Sequence, residues 1–153
     1  GRLLAGTDAV VFALGVERGG ATTLFSQTTR ALLQAMTAEG VTRLIAVTGV
    51  GAGETRGHGG FLYDRIVFPL FTRKRYADKD RQEALIADSG IDWTLVRPAP
   101  FRDRPAVGPL QVVTDVRPET KLRRFTRDEV AAFVVDALAG RTYRHQRPFI
   151  GHP

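Results

Sequence analysis

Asp92-Trp93-Thr94-Leu95-Val96-Arg97-Pro98 is the stretch on which the fold turns. Its apolar and β-branched residues read as a strand, and the proline that ends it fixes the chain direction. Gly90, just upstream, is the stop of a helix running roughly from Arg75 to Ser89, with Tyr76, Ala84 and Leu85 inward and Asp78, Asp80 and Glu83 on a solvated face. Before that helix, Arg43-Leu44-Ile45-Ala46-Val47-Thr48 reads as a second buried strand, ended by Gly49-Val50-Gly51-Ala52-Gly53. A third, Ala9-Val10-Val11-Phe12-Ala13-Leu14, is a continuous apolar run suited to burial on both faces of a parallel sheet, and Gly15 closes it. Between these two, Leu24, Phe25, Thr28, Ala31, Leu32, Ala35 and Met36 recur with the spacing of one helix face, and Gly40 stops the helix.

Downstream, an extended piece at Leu110 to Thr114 precedes a helix from Arg127 to Ala139. Thr126 or Arg127-Asp128 opens that helix, Gly140 ends it, and Val130, Phe133, Val134, Ala137 and Leu138 share a face. Asp128-Glu129 suits the positive end of the helix dipole. Strands alternating with helices at this spacing predict an α/β fold with a doubly wound parallel sheet, as a single domain over residues 1–153. The segment from Glu54 to about Leu70, glycine-rich and then aromatic, reads as a loop and short helix over a site.

Composition narrows the function classes. There is no cysteine, which excludes disulfides and thiolate metal sites and makes the reducing cytoplasm the expected compartment. The longest apolar run falls far short of the roughly 20 residues of a membrane-spanning helix. His58, His145 and His152 lack ligand spacing, so no metal is expected. No Gly-x-Ser-x-Gly is present, which argues against serine hydrolysis. The net charge of +6 is scattered over Arg73-Lys74-Arg75, Arg102 with Arg104, and Lys121 to Arg127, without interleaved stacking aromatics. It reads as basic surface with some attraction for phosphate-bearing small molecules, ahead of nucleic-acid binding.

In an open parallel sheet, ligands bind at the carboxyl ends of the strands. Three such places stand out: Ala13-Leu14-Gly15, Thr48-Gly49-Val50-Gly51 and Val96-Arg97-Pro98-Ala99-Pro100. Glycine there lets backbone approach a ligand; equally, glycine and proline end strands in any protein.

Together with Lys79, Glu83 and Leu85, and with Ser89-Gly90-Ile91 leading into the Asp92 strand, these blocks resemble the NmrA-like and flavin-reductase-like atypical short-chain dehydrogenases. The resemblance implies a Rossmann sheet of order 3-2-1-4-5-6-7 that binds NAD or NADP. It places Ala13, Leu14 and Gly15 along the ribose and diphosphate, and Thr48 and Gly49 beneath the nicotinamide ribose. Lys79 would reach the ribose hydroxyls, and Pro98 and Ala99 would contact the nicotinamide end. Thr48 and Lys79 are the candidate catalytic residues.

Two departures qualify it. Gly49 stands where many relatives carry serine, and Arg75 stands where a Tyr-x-x-x-Lys pair would need tyrosine. Tyr76 precedes Lys79 by three residues and reads as packing, although either spacing puts neighbours on one helix face. A dinucleotide site also needs a glycine-rich turn and helix to hold the pyrophosphate, and nothing upstream of Asp8 supplies them. The expectation is therefore a Rossmann-like sheet incomplete at the N-terminus, binding NAD(P)H weakly by itself and prone to self-association through the exposed edge near Ala9. Three functions are carried forward: a reductase of quinones, flavins or carbonyl compounds in the complete protein, a non-catalytic redox-sensing module, and, last, a basic nucleic-acid binder.

Overall fold

Five strands form one sheet in the computed structural model, which describes residues 4–16, 22–58, 65, 73–103 and 108–153. They are β1 (Ala9–Phe12), β2 (Arg43–Val47), β3 (Asp92–Pro98), β4 (Gln111–Val113) and β5 (Phe149–Gly151), in the order β1-β2-β3-β5-β4. Among the described residues three α-helices cover it: α1 (Leu24–Ala38), α2 (Arg73–Ala87) and α3 (Arg127–Ala139). The pairs β1·β2, β2·β3 and β3·β5 are parallel, whereas β4 runs antiparallel to β5. The sheet is thus mostly, not wholly, parallel. β5 is an element the sequence pattern did not reveal.

Alternation along β2 and β3 sends side chains to two cores. Leu44, Ala46, Trp93 and Leu95 pack with Met36 of α1 and Ile86 of α2, while Ile45 and Val96 pack with Val130, Phe133, Val134 and Ala137 of α3. Helices on both faces make the sheet doubly wound, as expected. α3 follows the sequence reading closely: Thr126 and Glu129 form a reciprocal capping box that satisfies the amides of its first turn.

Other expectations are corrected. β1 ends at Phe12, so Ala13 and Leu14 lie beyond the strand, and Val11 is 45% exposed where burial on both faces was expected. The reason is position: among the described strands β1 has β2 as its one neighbour, so it lies at the edge of the sheet. The buried face of α1 comprises Phe25, Ser26, Thr29 and Met36, a rotation that leaves Leu24 at the surface. On α2, Ala84 is exposed, and the inward residues are Asp78, Lys79, Gln82, Glu83 and Ile86. The carboxylates Asp78 and Glu83 are therefore buried rather than solvated, and Asp80 is half-buried. Most of the segment read as a loop over a site, residues 59–64 and 66–70, lies outside the described residues.

Candidate functional site

A helix that turns four polar side chains inward must find each of them a partner, because an unpaired buried charge costs several kcal/mol. α2 does so from both neighbouring elements. Asp78 accepts hydrogen bonds from the main-chain N–H groups of Phe25 (2.9 Å) and Ser26 (3.3 Å), so its carboxylate caps the first turn of α1. Such a carboxylate matches the positive end of the helix dipole. Gln82 donates to Thr29 Oγ1 at 3.2 Å, a second polar tie between the two helices.

One turn on, Glu83 joins three elements. It accepts from Thr48 Oγ1 (2.6 Å) at the end of β2 and from Arg97 Nε (3.2 Å) and Nη2 (2.6 Å) near the end of β3. Arg97, 2% exposed, also donates through Nη1 to Glu54 on the short 3-10 turn Gly53–Thr55. Burial works against the Arg97 charge, yet hydrogen bonds and attraction from Glu83 and Glu54 raise its pKa above the ordinary arginine value. Arg97 lies so close to the turn that a Cβ on Gly53 would stand 2.4 Å from Nη2. Gly53 is also in the left-handed region at φ +50°, so glycine is required there twice over.

Lys79 is 7% exposed and its ammonium donates to the Thr48 carbonyl at 2.7 Å, with the Phe25 ring 4.4 Å away. It is not a solvent-facing lysine. Next to it, the Tyr76 hydroxyl lies 3.1 Å from where a Cβ on Gly49 would be, and Gly49 itself holds φ +138°. A side chain at residue 49 would therefore run into the tyrosine hydroxyl. Tyr76, which the sequence suggested as mere packing, brings its polar tip to the end of β2.

The residues singled out from sequence fall into two groups. Thr48, Gly49, Lys79, Pro98 and Ala99 are all buried around the carboxyl ends of β2 and β3, with Val50 N–H donating to Pro98 O at 2.9 Å and Thr48 N–H to Val96 O at 2.8 Å. Ala13, Leu14 and Gly15 follow β1 at the same end of the sheet, with Ala13 and Gly15 exposed. A Cβ on Gly15 would meet nothing within 4 Å, so the space beside it is open. Missed from sequence were the inward Asp78 and Glu83 and the hydroxyl of Tyr76. Arg97 was the available signal, since a charge inside a strand buried from Trp93 onward demands a carboxylate. Among the described residues no cluster of three metal-ligating side chains occurs, and no helix is long and apolar enough to cross a membrane.

Comparison with known proteins agrees with this geometry. The chain is 29% identical over 140 residues to "Uncharacterized sugar epimerase YhfK" of Bacillus subtilis, a match covering 87% of this chain and 58% of the relative. It superposes on the oxidoreductase ylbE of Lactococcus lactis with a TM-score of 0.77 at 17% identity, over 99% of this chain and 65% of that one. A Veillonella parvula short-chain dehydrogenase/reductase in complex with NADP gives 0.76 at 13% identity, over 99% and 66%. At such identities these structures establish the fold alone. This chain thus spans less than two thirds of the length of YhfK and of ylbE. Residues 1–141 match the family described as NAD(P)H-binding. With a doubly wound sheet whose strand ends gather Thr48, Gly49, Lys79 and Pro98, the chain belongs to the NAD(P)H-binding family.

Proposed function

We propose that the protein is an NAD(P)H-dependent oxidoreductase that delivers hydride to a quinone, flavin or carbonyl acceptor at the carboxyl ends of β2 and β3. The observation that carries this reading is the convergence on one peptide group. The buried Lys79 ammonium bonds the Thr48 carbonyl at 2.7 Å, and the Tyr76 hydroxyl meets the Cα side of Gly49. A cation and a hydroxyl fixed at a strand end can hold a ribose and polarise an acceptor oxygen.

The described residues fit the ribose and nicotinamide half of the cofactor. Gly15 leaves open space after β1, Gly49 lets the Tyr76 hydroxyl come up to the end of β2, and Lys79 holds a fixed ammonium there. The nicotinamide, when bound, supplies the hydride; the protein binds, orients and excludes water. In this reading Lys79 anchors ribose hydroxyls. Thr48, its own hydroxyl given to Glu83, acts by holding Lys79 and Glu83 in place. Pro98 and Ala99 border the reacting end.

The test is titration with NADPH and NADH, followed by turnover with a panel of quinones, free flavins and aldehydes. Lys79→Met should keep the fold, judged by circular dichroism, and weaken cofactor binding about tenfold, the worth of one charge-assisted hydrogen bond. Unchanged affinity in that variant would remove Lys79 from the site. Tight binding with no turnover on any acceptor would favour a redox-sensing module instead.

A further inference from the structure

A cavity of 260 Å³ opens on the far side of the Arg97–Glu83 pair from Thr48, walled by Arg97, Arg147, Glu54, Asp115, Thr114 and His145 among others; the Asp115 carboxylate is 78% exposed and paired with Arg117 at 3.1 Å. It sits between the 3-10 turn, strand β3, and the loops that follow β4 and precede β5. We propose that this cavity is a binding site for a small carboxylate, and that the Glu54 side chain occupies the anion position until such a ligand displaces it.

Arg97 is the fixed cation of this cavity. Its guanidinium is held from one side by Glu83, through two hydrogen bonds, and is fixed before any ligand arrives. The remaining nitrogen, Nη1, bonds Glu54, which with Arg97 lines the cavity. That partner differs from Glu83: the Glu54 side chain is 64% exposed, against 5% for Glu83, so it can swing into water at little cost. Arg97 cannot follow it, because Gly53 and Glu83 confine the guanidinium. Withdrawal of Glu54 would leave a rigid, desolvated cationic donor in the cavity wall. A planar guanidinium prefers a carboxylate in that situation.

Arg147 gives the second cationic wall. Its guanidinium lies 4.9 Å from the centre of the Trp93 ring, and its nearest carboxylate oxygen, Glu83 Oε2, is 4.0 Å away, beyond hydrogen-bond distance. It is therefore parked on an indole with donors to spare. The wall residue His145 holds φ 54°, and Tyr143, two residues before it and outside the lining, holds φ 56°; such left-handed values cost energy for residues with a Cβ. The strained loop is tied down by His145 N–H to Trp93 O at 2.7 Å and sets His145 edge-on to the same indole. Strain of this kind gathers at ligand clamps. The volume is below that of drug-sized pockets, which limits the ligand to a small acid.

Trp93 is the one tryptophan of the sequence and sits under Arg147, so its fluorescence reports the cavity. Acetate and inorganic phosphate are titrated into the protein at constant ionic strength set with chloride. The wild type should respond weakly to acetate, because Glu54 competes from the same chain at high effective concentration. Glu54→Ala and Glu54→Gln should each bind acetate more tightly, by about tenfold for Ala. Adding Arg147→Ala to Glu54→Ala should lose about tenfold again.

Equal affinity in wild type and both Glu54 variants, or indifference to Arg147→Ala, overturns the proposal, as does an equal response to chloride. Phosphate binding better than acetate overturns the assignment of a carboxylate. None of these readouts involves cofactor or turnover, so failure here is distinct from failure of the oxidoreductase reading.

Discussion

Replacing Glu83 by glutamine tests the polar interior of α2 directly. In the folded protein this carboxylate accepts from Thr48 Oγ1 and twice from Arg97, and its side chain is 5% exposed. The amide introduced by Glu83→Gln could accept at one oxygen only, so at least one bond to the Arg97 fork is lost and a donor is turned toward another donor. Breaking a buried ion pair costs about 3–5 kcal/mol, because the stranded charge stays buried. Glu54 still neutralises Arg97 through Nη1, which puts the expected cost at the low end, about 3 kcal/mol. For a domain of this size that is a fall in Tm of about 6–12 °C. Glu54→Gln removes the exposed half of the same network and should cost about 1 kcal/mol or less. Urea unfolding followed by circular dichroism, with equal slopes as the two-state check, gives both numbers. If Glu83→Gln costs no more than Glu54→Gln, Glu83 behaves as a solvated surface residue and the buried network described above is wrong.

Two further outcomes are expected. Gly53→Ala should destabilise by about 2–3 kcal/mol, since its Cβ meets the pinned Arg97 guanidinium at 2.4 Å as well as a left-handed φ. Gly57→Ala, at φ +93° with nothing within 4 Å, should cost about 1 kcal/mol from backbone strain alone, and the difference measures the contact with Arg97. Acid should act through Asp92: burial opposes its charge, but the Arg144 hydrogen bond and the charges of Arg43, Arg144 and His145 hold its carboxyl below the ordinary value. A depressed folded pKa means stability that is complete above the unfolded value, near pH 4, and lost as pH falls through the folded one. Urea midpoints between pH 6 and pH 2 should therefore fall less steeply in Asp92→Asn than in wild type, and parallel curves would exclude Asp92 as a source of the acid sensitivity.

What can be read from sequence is what is local. α3 announces itself because its start signals, from Thr126 to the Asp128-Glu129 pair, and its apolar stripe all lie within one segment, although the reciprocal cap of Thr126 with Glu129 is seen only in the structure. β2 and β3 are apolar runs with a glycine or proline at the end, and burial on both faces is what such runs mean. α2 misleads because Asp78, Lys79 and Glu83 look like a solvated face unless their partners are known. Those partners are distant in sequence: Asp78 reaches back 53 residues to Phe25, and Glu83 reaches back 35 to Thr48. β5 escapes notice because three residues between Pro148 and His152 carry too little pattern, and its antiparallel partner β4 is fixed by pairing that no single segment encodes. Of the site, the glycines and prolines at strand ends are legible. The hydroxyl of Tyr76 is not, since its place opposite Gly49 depends on how α2 crosses the end of β2.

The neighbouring residues Asp78 and Lys79 divide the electrostatics of the strand-end site between them. A helix N-terminus beside a strand end is a ready place for phosphate, because its first N–H groups are unpaired and the dipole is positive there. In α1 those donors, Phe25 and Ser26 N–H, are already taken by the Asp78 carboxylate. A phosphate brought to that helix start would face a buried negative charge instead of free amides, so α1 repels what such termini usually bind. Lys79 stands one residue along, its ammonium against the Phe25 ring and the Thr48 carbonyl, and it offers a donor where Asp78 has closed one. A neutral ribose hydroxyl can accept from such an ammonium. The pairing thus closes the start of α1 to phosphate and keeps one cation beside the end of β2, the cation to which the proposed oxidoreductase assigns the ribose.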